Sequence, residues 1–392
     1  MHDLTPRYSV TQFTYWAASS GAASFATTYL LGQGIPSGTV GALLAAAGIL
    51  SCLSQPLLAA LADRSRRFLL SGMLVFLSAL CSLCLFLQLL PGLPLLLTAI
   101  VYILGIWSSD VMVPLLNALS VACNGCGYPI RYPAARGIGT AATAMSSLVV
   151  GHLLAKHGAT GMLLFLLAFQ LLCIGSLLGY PQITKSPAAK ASPEAGCSLP
   201  RFVSRYRWYC VSLVGIAFLG MFLAMMEYYL IAIVRPLGGD SSHVGVALFL
   251  SAIVTAPVIF FFGKVRARFS DLTLLKISAL SFLVRAICLY FAGDISVIYL
   301  LQLLHIPSYG FLHPTQVYYA EAKVQPVDMV KGQAFITAAY ALGCSVGNFT
   351  GGQLLQYGVQ ALLLSGIAMT FLGTGILFFT LGKSDFRAEK TP

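Results

Sequence analysis

Five ionisable side chains stand inside stretches that are otherwise apolar: Asp110, Glu227, Arg285, His305 and His313. A charge at bilayer depth costs about 2.5–3.5 kcal/mol on insertion scales, so each of these implies a partner or a task. Glu227 and Arg285 each precede the outer end of an apolar stretch by seven residues. At a rise of about 1.5 Å per residue both lie about 10 Å below the outer surface, and His305 lies about 15 Å deep on a returning stretch. The three can share one layer. Glu227 and Arg285 then form either a fixed ion pair or, with His305, a group that gains and loses a proton. Asp110 is about 15 Å from the inner end of its stretch. Arg136 starts the next stretch near that end, and its long side chain can reach inward. These two form either a structural pair or a clamp on a bound solute. His313 adjoins Pro314. It either bonds a carbonyl that the proline frees or contacts the solute.

A second constellation is polar and aromatic. Gln12, Tyr15, Trp16 and Ser19 recur at i, i+3, i+4 and i+7, so they share one helical face. Lipid has no use for that face. Trp and Tyr offer rings to a sugar or base, and Gln and Ser hydrogen-bond its hydroxyls. An interfacial aromatic belt accounts for Tyr8 but not for Trp16 and Ser19 further in.

The elements that position these residues are membrane helices. Hydrophobic residues form 58% of the 392-residue chain and charged residues 9%, against about 25% charged in a soluble domain. About 20 apolar residues cross the hydrocarbon core. Twelve such spans are expected, at roughly 8–32, 38–61, 68–90, 94–119, 134–155, 160–180, 207–234, 242–263, 272–292, 295–319, 332–356 and 359–382. The stretch Val40-Gly41 to Asp63-Arg64 recurs at an offset of 204 as Val244-Gly245 to Ala267-Arg268. Pro114, Gly151 and Gly158 recur at an offset of 200 as Pro314, Gly351 and Gly358. Two homologous halves with a site between them describe a rocking carrier. Residues 181–206, rich in Pro, Ser, Ala and Lys, read as the linker. The N-terminus lacks the apolar core and cleavage site of a removable signal peptide.

Charge sets the orientation. All 23 Lys and Arg except Lys156, Arg235 and Arg285 fall on one face, which the positive-inside rule makes cytoplasmic. The net charge of +11 follows from this topology and from attraction to anionic lipid, with no need of nucleic acid. Cys123 and Cys126 lack a second pair or a neighbouring His for zinc. No nucleotide-binding loop or catalytic Ser–His spacing occurs, so no cofactor and no enzymatic activity are expected.

Between spans two and three stands Leu61-Ala62-Asp63-Arg64-Ser65-Arg66-Arg67. Asp63, Arg64 and Arg67 in so short a loop can bond to a neighbouring helix end and latch one access state. Here the chain resembles the major facilitator superfamily, whose corresponding loop carries a Gly-x-x-x-Asp-Arg-x-Gly-Arg pattern; Ala59 and Arg66 replace its two glycines. The second half is most similar to the lactose-permease and oligosaccharide–proton symporter branch, with nucleoside–proton symporters beside it. Arg285, Leu301-Gln302-Leu303-Leu304-His305, Lys331-Gly332-Gln333 and Gly347-Asn348-Phe349-Thr350-Gly351-Gly352 carry that likeness. The resemblance implies that Arg285 and His305 join a proton-coupling network and that Arg136 binds solute. It departs at the branch's carboxylates, which fall at Thr255, Ser308 and near Asn117 or Ala118.

The expected fold is an all-α integral membrane protein of twelve helices in two pseudo-symmetric six-helix bundles, 1–180 and 207–392. The expected function is secondary transport of a small polar organic solute, with proton coupling and uptake of a sugar or nucleoside favoured. Efflux, siderophore carriage or a non-transporting sensor are the alternatives. Solute contacts are expected from Gln12, Tyr15, Trp16, Ser19, Asp110, Asn117, Arg136 and His313. Coupling is expected from Glu227, Arg285 and His305. The protein is expected to be a monomer in the cytoplasmic membrane, with lipid, proton and solute as partners and both termini cytoplasmic. A phosphatase reporter fused to the C-terminus should therefore be inactive; activity there, which requires export, would refute the orientation.

Overall fold

The structure, a computed structural model, describes residues 3–64, 70–181 and 198–383, and these are helical with no strand among them. The twelve expected spans are present. Span one is Thr5–Ser24 continued by Ala26–Gly32, span two Ser37–Arg64, span three Leu70–Leu87, and span four Leu95–Asp110 continued by Met112–Gly125. Spans five and six form the continuous stretch Tyr132–Leu177, divided at Gly158, whose φ of 64° and ψ of −161° are not helical. Span seven is Arg207–Tyr228 with Leu230–Val234, span eight Ser241–Phe260 with Phe262–Arg266, and span nine Asp271–Tyr290. Span ten runs from Ile295–Leu301 through a 3-10 turn, Gln302–His305, into Tyr309–Lys323. Met329–Leu355 is span eleven and Val359–Thr380 span twelve.

Local chemistry sets several of these boundaries. Ser270 and Asp294 each turn a side-chain oxygen onto the backbone N–H of Thr273 and Ser296, capping spans nine and ten. Prolines begin span one at Pro6 and span five at Pro133, where a missing N–H costs nothing. Pro114 and Pro314 lie inside spans four and ten, shortly after each span is interrupted. A proline there removes a helical bond and clashes with the carbonyl four residues earlier.

The repeat read from sequence reappears as backbone geometry. Span one breaks at Phe25 with φ −104° and ψ 9°. Span seven breaks at Tyr229 with φ −102° and ψ 15°, at the repeat's offset of 204. Both spans then turn through a left-handed glycine, Gly34 at φ 87° and Gly238 at φ 82°. Gly158 and Gly358 likewise both have positive φ. Among the described residues nine helical stretches are apolar enough by composition to cross a membrane, one of them being spans five and six together. Spans one and eleven are not among the nine, and span one is largely buried within the protein.

The described chain groups into two compact units, 1–190 with 227–252, and 191–226 with 253–392. Inside the first unit Gly151 and Gly245 cross backbone to backbone. A Cβ on Gly151 would lie 2.6 Å from the Ser241 carbonyl oxygen and 2.8 Å from the Gly245 Cα. Inside the second unit spans seven and eleven meet through Gly220, Gly343 and Gly347, and Cβ atoms at Gly343 and Gly347 would overlap the carbonyls of Ala217 and Met221. Small residues let helix backbones approach in this way, where lipid supplies no hydrophobic drive between helices. Gly343→Ala should therefore lower the thermal unfolding midpoint, by overpacking of about 1–3 kcal/mol. Gly375→Ala, whose added carbon would meet nothing within 4 Å, should leave the midpoint unchanged. Equal midpoints for the two variants in detergent would refute the close crossing.

Candidate functional site

In the first half the polar face of span one is real, and most of it is already committed. Gln12 is 1% exposed, donates from Nε2 to the Tyr8 hydroxyl at 2.8 Å and accepts from Trp16 Nε1 at 2.8 Å. Tyr8 passes its own proton to the Leu116 carbonyl of span four at 3.0 Å. Tyr15 is fully buried and donates to the Ser109 carbonyl at 2.8 Å, while the buried Ser19 hydroxyl faces the Tyr15 oxygen at 3.5 Å. Tyr8 and Tyr15 thus fasten span one to span four, and Gln12 links Tyr8 to Trp16. Trp16 itself is only partly buried.

Arg136 completes this arrangement. Its guanidinium carbon lies 4.1 Å from the centre of the Trp16 ring. It makes one long hydrogen bond, 3.4 Å to Thr140 Oγ1. Gly139, one turn on, makes room for the indole: a Cβ there would sit 2.5 Å from Trp16 Cδ1. Residue 16 is about 16 Å along its helix from Thr5. Arg136, in the second turn of span five, is thus partly buried against the indole.

Asp110 and Arg136 do not pair. Asp110, partly buried, receives the Ser51 hydroxyl of span two at 3.4 Å, and no ion pair to Arg136 occurs among the described residues. Asn117 is exposed and accepts from the Tyr132 hydroxyl at 3.0 Å. Of the two arrangements the sequence allowed, a direct structural pair is not formed among the described residues.

In the second half Arg285 is 5% exposed and His305 4% exposed. Arg285 lies 2.7 Å from His305 Nδ1 and donates to Gln302 Oε1 at 3.1 Å. A guanidinium can only donate, so Nδ1 is the acceptor and the imidazole carries its proton on Nε2. The His305 ring lies 5.4 Å from that of Tyr309, which stacks 5.3 Å from exposed His313. His313 therefore continues a ring ladder down span ten. Glu227 is partly buried and stands two residues before the break at Tyr229.

Sequence reasoning missed Tyr8, Gln302, Tyr309 and Gly139 as members of these clusters. Gln302 and His305 stand three apart and Tyr309 and His313 four apart, a spacing that places each pair on one helical face. The side chains of Asp63 and Arg64, and Arg67 altogether, lie outside the described residues. The second copy of that loop is described, and it rebuilds an ion pair with other residues. Arg266 holds Asp271 through two bonds of 2.9 and 3.2 Å, and its guanidinium lies 3.7 Å from the Tyr318 ring of span ten.

Spans broken at equivalent points in two homologous halves, with charged side chains held at depth, narrow the choice of family. A family profile decides it, matching residues 6–364 to the MFS_1-like family. The chain belongs to that family. The solved structure of the nucleoside transporter NupG is similar at a TM-score of 0.81 and 16% identity, over 97% of this chain and 98% of that one. A mutant of NupG matches at 0.81 and 15%, over 98% and 100%. A bacterial homologue of the human lysosomal transporter Spinster, inward-facing and occupied, matches at 0.67 and 14%, over 98% and 97%. A search of curated protein sequences finds no match. At these identities the structural likeness establishes the fold.

The two neighbours Tyr15 and Trp16 separate a packing role from an exposed one. In a background stripped of reactive native thiols, Trp16→Cys should react with a water-soluble maleimide in folded protein and Tyr15→Cys should not. Labelling of Trp16→Cys by membrane-dissolved reagents alone would assign that face to lipid.

Proposed function

We propose that this protein is a secondary active transporter that takes up a small polar organic solute across the cytoplasmic membrane by alternating access, coupled to protons. The observation that carries the reading is the pairing of duplicated breaks, Phe25 with Tyr229, with ionisable clusters beside the broken spans. Discontinuous helices next to a midplane site are the means by which such carriers expose polar groups to a solute without exposing backbone to lipid. The likeness to NupG, a nucleoside transporter, supports a solute of comparable size.

In this reading the roles divide between the halves. Trp16 and Arg136 meet the solute, held in place by Gln12, Tyr15 and Ser19, while Asp110, Asn117 and His313 line the approach. Glu227, Arg285 and His305 carry coupling. His305 accepts a hydrogen bond from Arg285, so a proton arriving at Nδ1 would break that bond and set two cations side by side. Their separation gives a protonation event a mechanical outcome, and Glu227 supplies a carboxylate beside a helix break to take up or release the proton. Both termini face the cytoplasm and the carrier works as a monomer.

Exchange of solute across the membrane needs no net proton release, whereas uphill accumulation does. In proteoliposomes with an imposed pH gradient, Glu227→Gln should abolish accumulation and spare exchange, and Arg285→Ala should do the same. Normal accumulation by well-folded Glu227→Gln would reject the proton role and leave a structural carboxylate.

A further inference from the structure

Arg136 stands beside the polar face of span one with hydrogen-bonding capacity to spare. A guanidinium offers five N–H donors in a planar fork. Among the described residues one of them reaches an acceptor, and that bond is 3.4 Å long. Its other described contact is the Trp16 ring at 4.1 Å, which draws the cation without occupying its N–H groups. The nearest carboxylate expected from the sequence, Asp110, is turned to Ser51 instead. The indole cannot move away to free an acceptor, because its Nε1 is bonded to Gln12 and Gln12 is bonded to Tyr8. Gly139 keeps the indole directly beneath the guanidinium, since any side chain there would displace it. The result is a fork of donors held flat and open by packing.

We infer that the solute is an anion, and that Arg136 binds its carboxylate or phosphate oxygens through two parallel hydrogen bonds. The inference deepens the transport reading and rests on it for the solute's passage, but not for its binding. Paired N–H donors in a fixed plane match the spacing of two anionic oxygens, which is why arginine rather than lysine recognises them. Arg136 is partly buried, and no carboxylate pairs with it among the described residues. A solute that supplies the counter-ion gains charge-assisted hydrogen bonds there, so the site favours anions over neutral compounds of the same shape. The repeat position of Arg136 is Ile336 and that of Trp16 is Gly220, so the second half offers no matching fork.

The test uses pairs that differ only in charge: D-glucuronate against D-glucose, and uridine monophosphate against uridine. Binding to the purified full-length protein in detergent is measured by calorimetry. The anionic member of at least one pair should bind roughly tenfold tighter or more, as expected for a charge-assisted bidentate contact. The pair that responds tells carboxylate from phosphate. Arg136→Gln should erase the preference, and Arg136→Lys should keep part of it, with unfolding midpoints confirming the fold. If Arg136→Gln does not fold, Arg136→Lys and the wild-type preference decide. Equal binding within both pairs, a preference that survives Arg136→Gln, or no binding of either anion at millimolar concentration would each overturn the inference. Anion binding without uptake into vesicles would instead remove the transport reading and leave the anion site. Uptake of the neutral members without charge preference would do the reverse.

Discussion

A backbone group in hydrocarbon has no water to bond to, and this constraint orders the rest of the structure. Every span must satisfy its own N–H and C=O groups, so a break in a span is tolerated only where protein or a cavity surrounds it. The chain nevertheless breaks span one at Phe25 and span seven at Tyr229, and both residues are fully buried. Span ten goes further and passes through a 3-10 turn that carries Gln302 and His305. Polar side chains congregate at these points because the breaks are already enclosed. The Arg285–His305–Gln302 cluster lies on such a turn, and the Tyr8–Gln12–Trp16 chain lies on the span that one break divides.

The two halves share a scaffold and divide the chemistry. At the repeat positions of Gln12, Tyr15 and Trp16 the second half has Ile216, Leu219 and Gly220, which pack as core. At the repeat positions of Arg285 and His305 the first half has Leu85 and Gly105. The Trp16–Arg136 cluster and the Arg285–His305 cluster are therefore segregated, one to a half. A difference also appears at the loops after spans two and eight, where Asp63-Arg64 in one copy corresponds in sequence to Ala267-Arg268 in the other, and Arg266 pairs with Asp271.

Much of the architecture was legible in the sequence because a bilayer leaves few options. Apolar runs of the right length, an asymmetry of Lys and Arg, and glycines recurring at fixed offsets fixed the twelve spans before any coordinates. Gly34 and Gly238 read as turns, and both adopt the left-handed backbone that a turn of that kind requires. The site was legible only as a set of candidates. Helical spacing put Gln12, Tyr15, Trp16 and Ser19 on one face, but it could not say that Tyr15 turns to the Ser109 carbonyl while Trp16 meets Arg136. Side-chain direction across helices is decided by tertiary packing, and a one-dimensional pattern does not contain it. Asp110 illustrates the point: its depth and the reach of Arg136 suggested a pair, and Ser51 of span two, far off in sequence, donates to it instead.

The break shared by spans one and seven bears on ancestry. Phe25 and Tyr229 differ in side chain, and neither is a glycine or proline that would impose a kink by itself, yet their dihedrals agree to within a few degrees. The bend thus outlived the residues that first occupied it. After the gene doubled, each copy was free to exchange the chemistry around its bend, but neither was free to straighten. The present chain bears a pair of matched bends, one in each half.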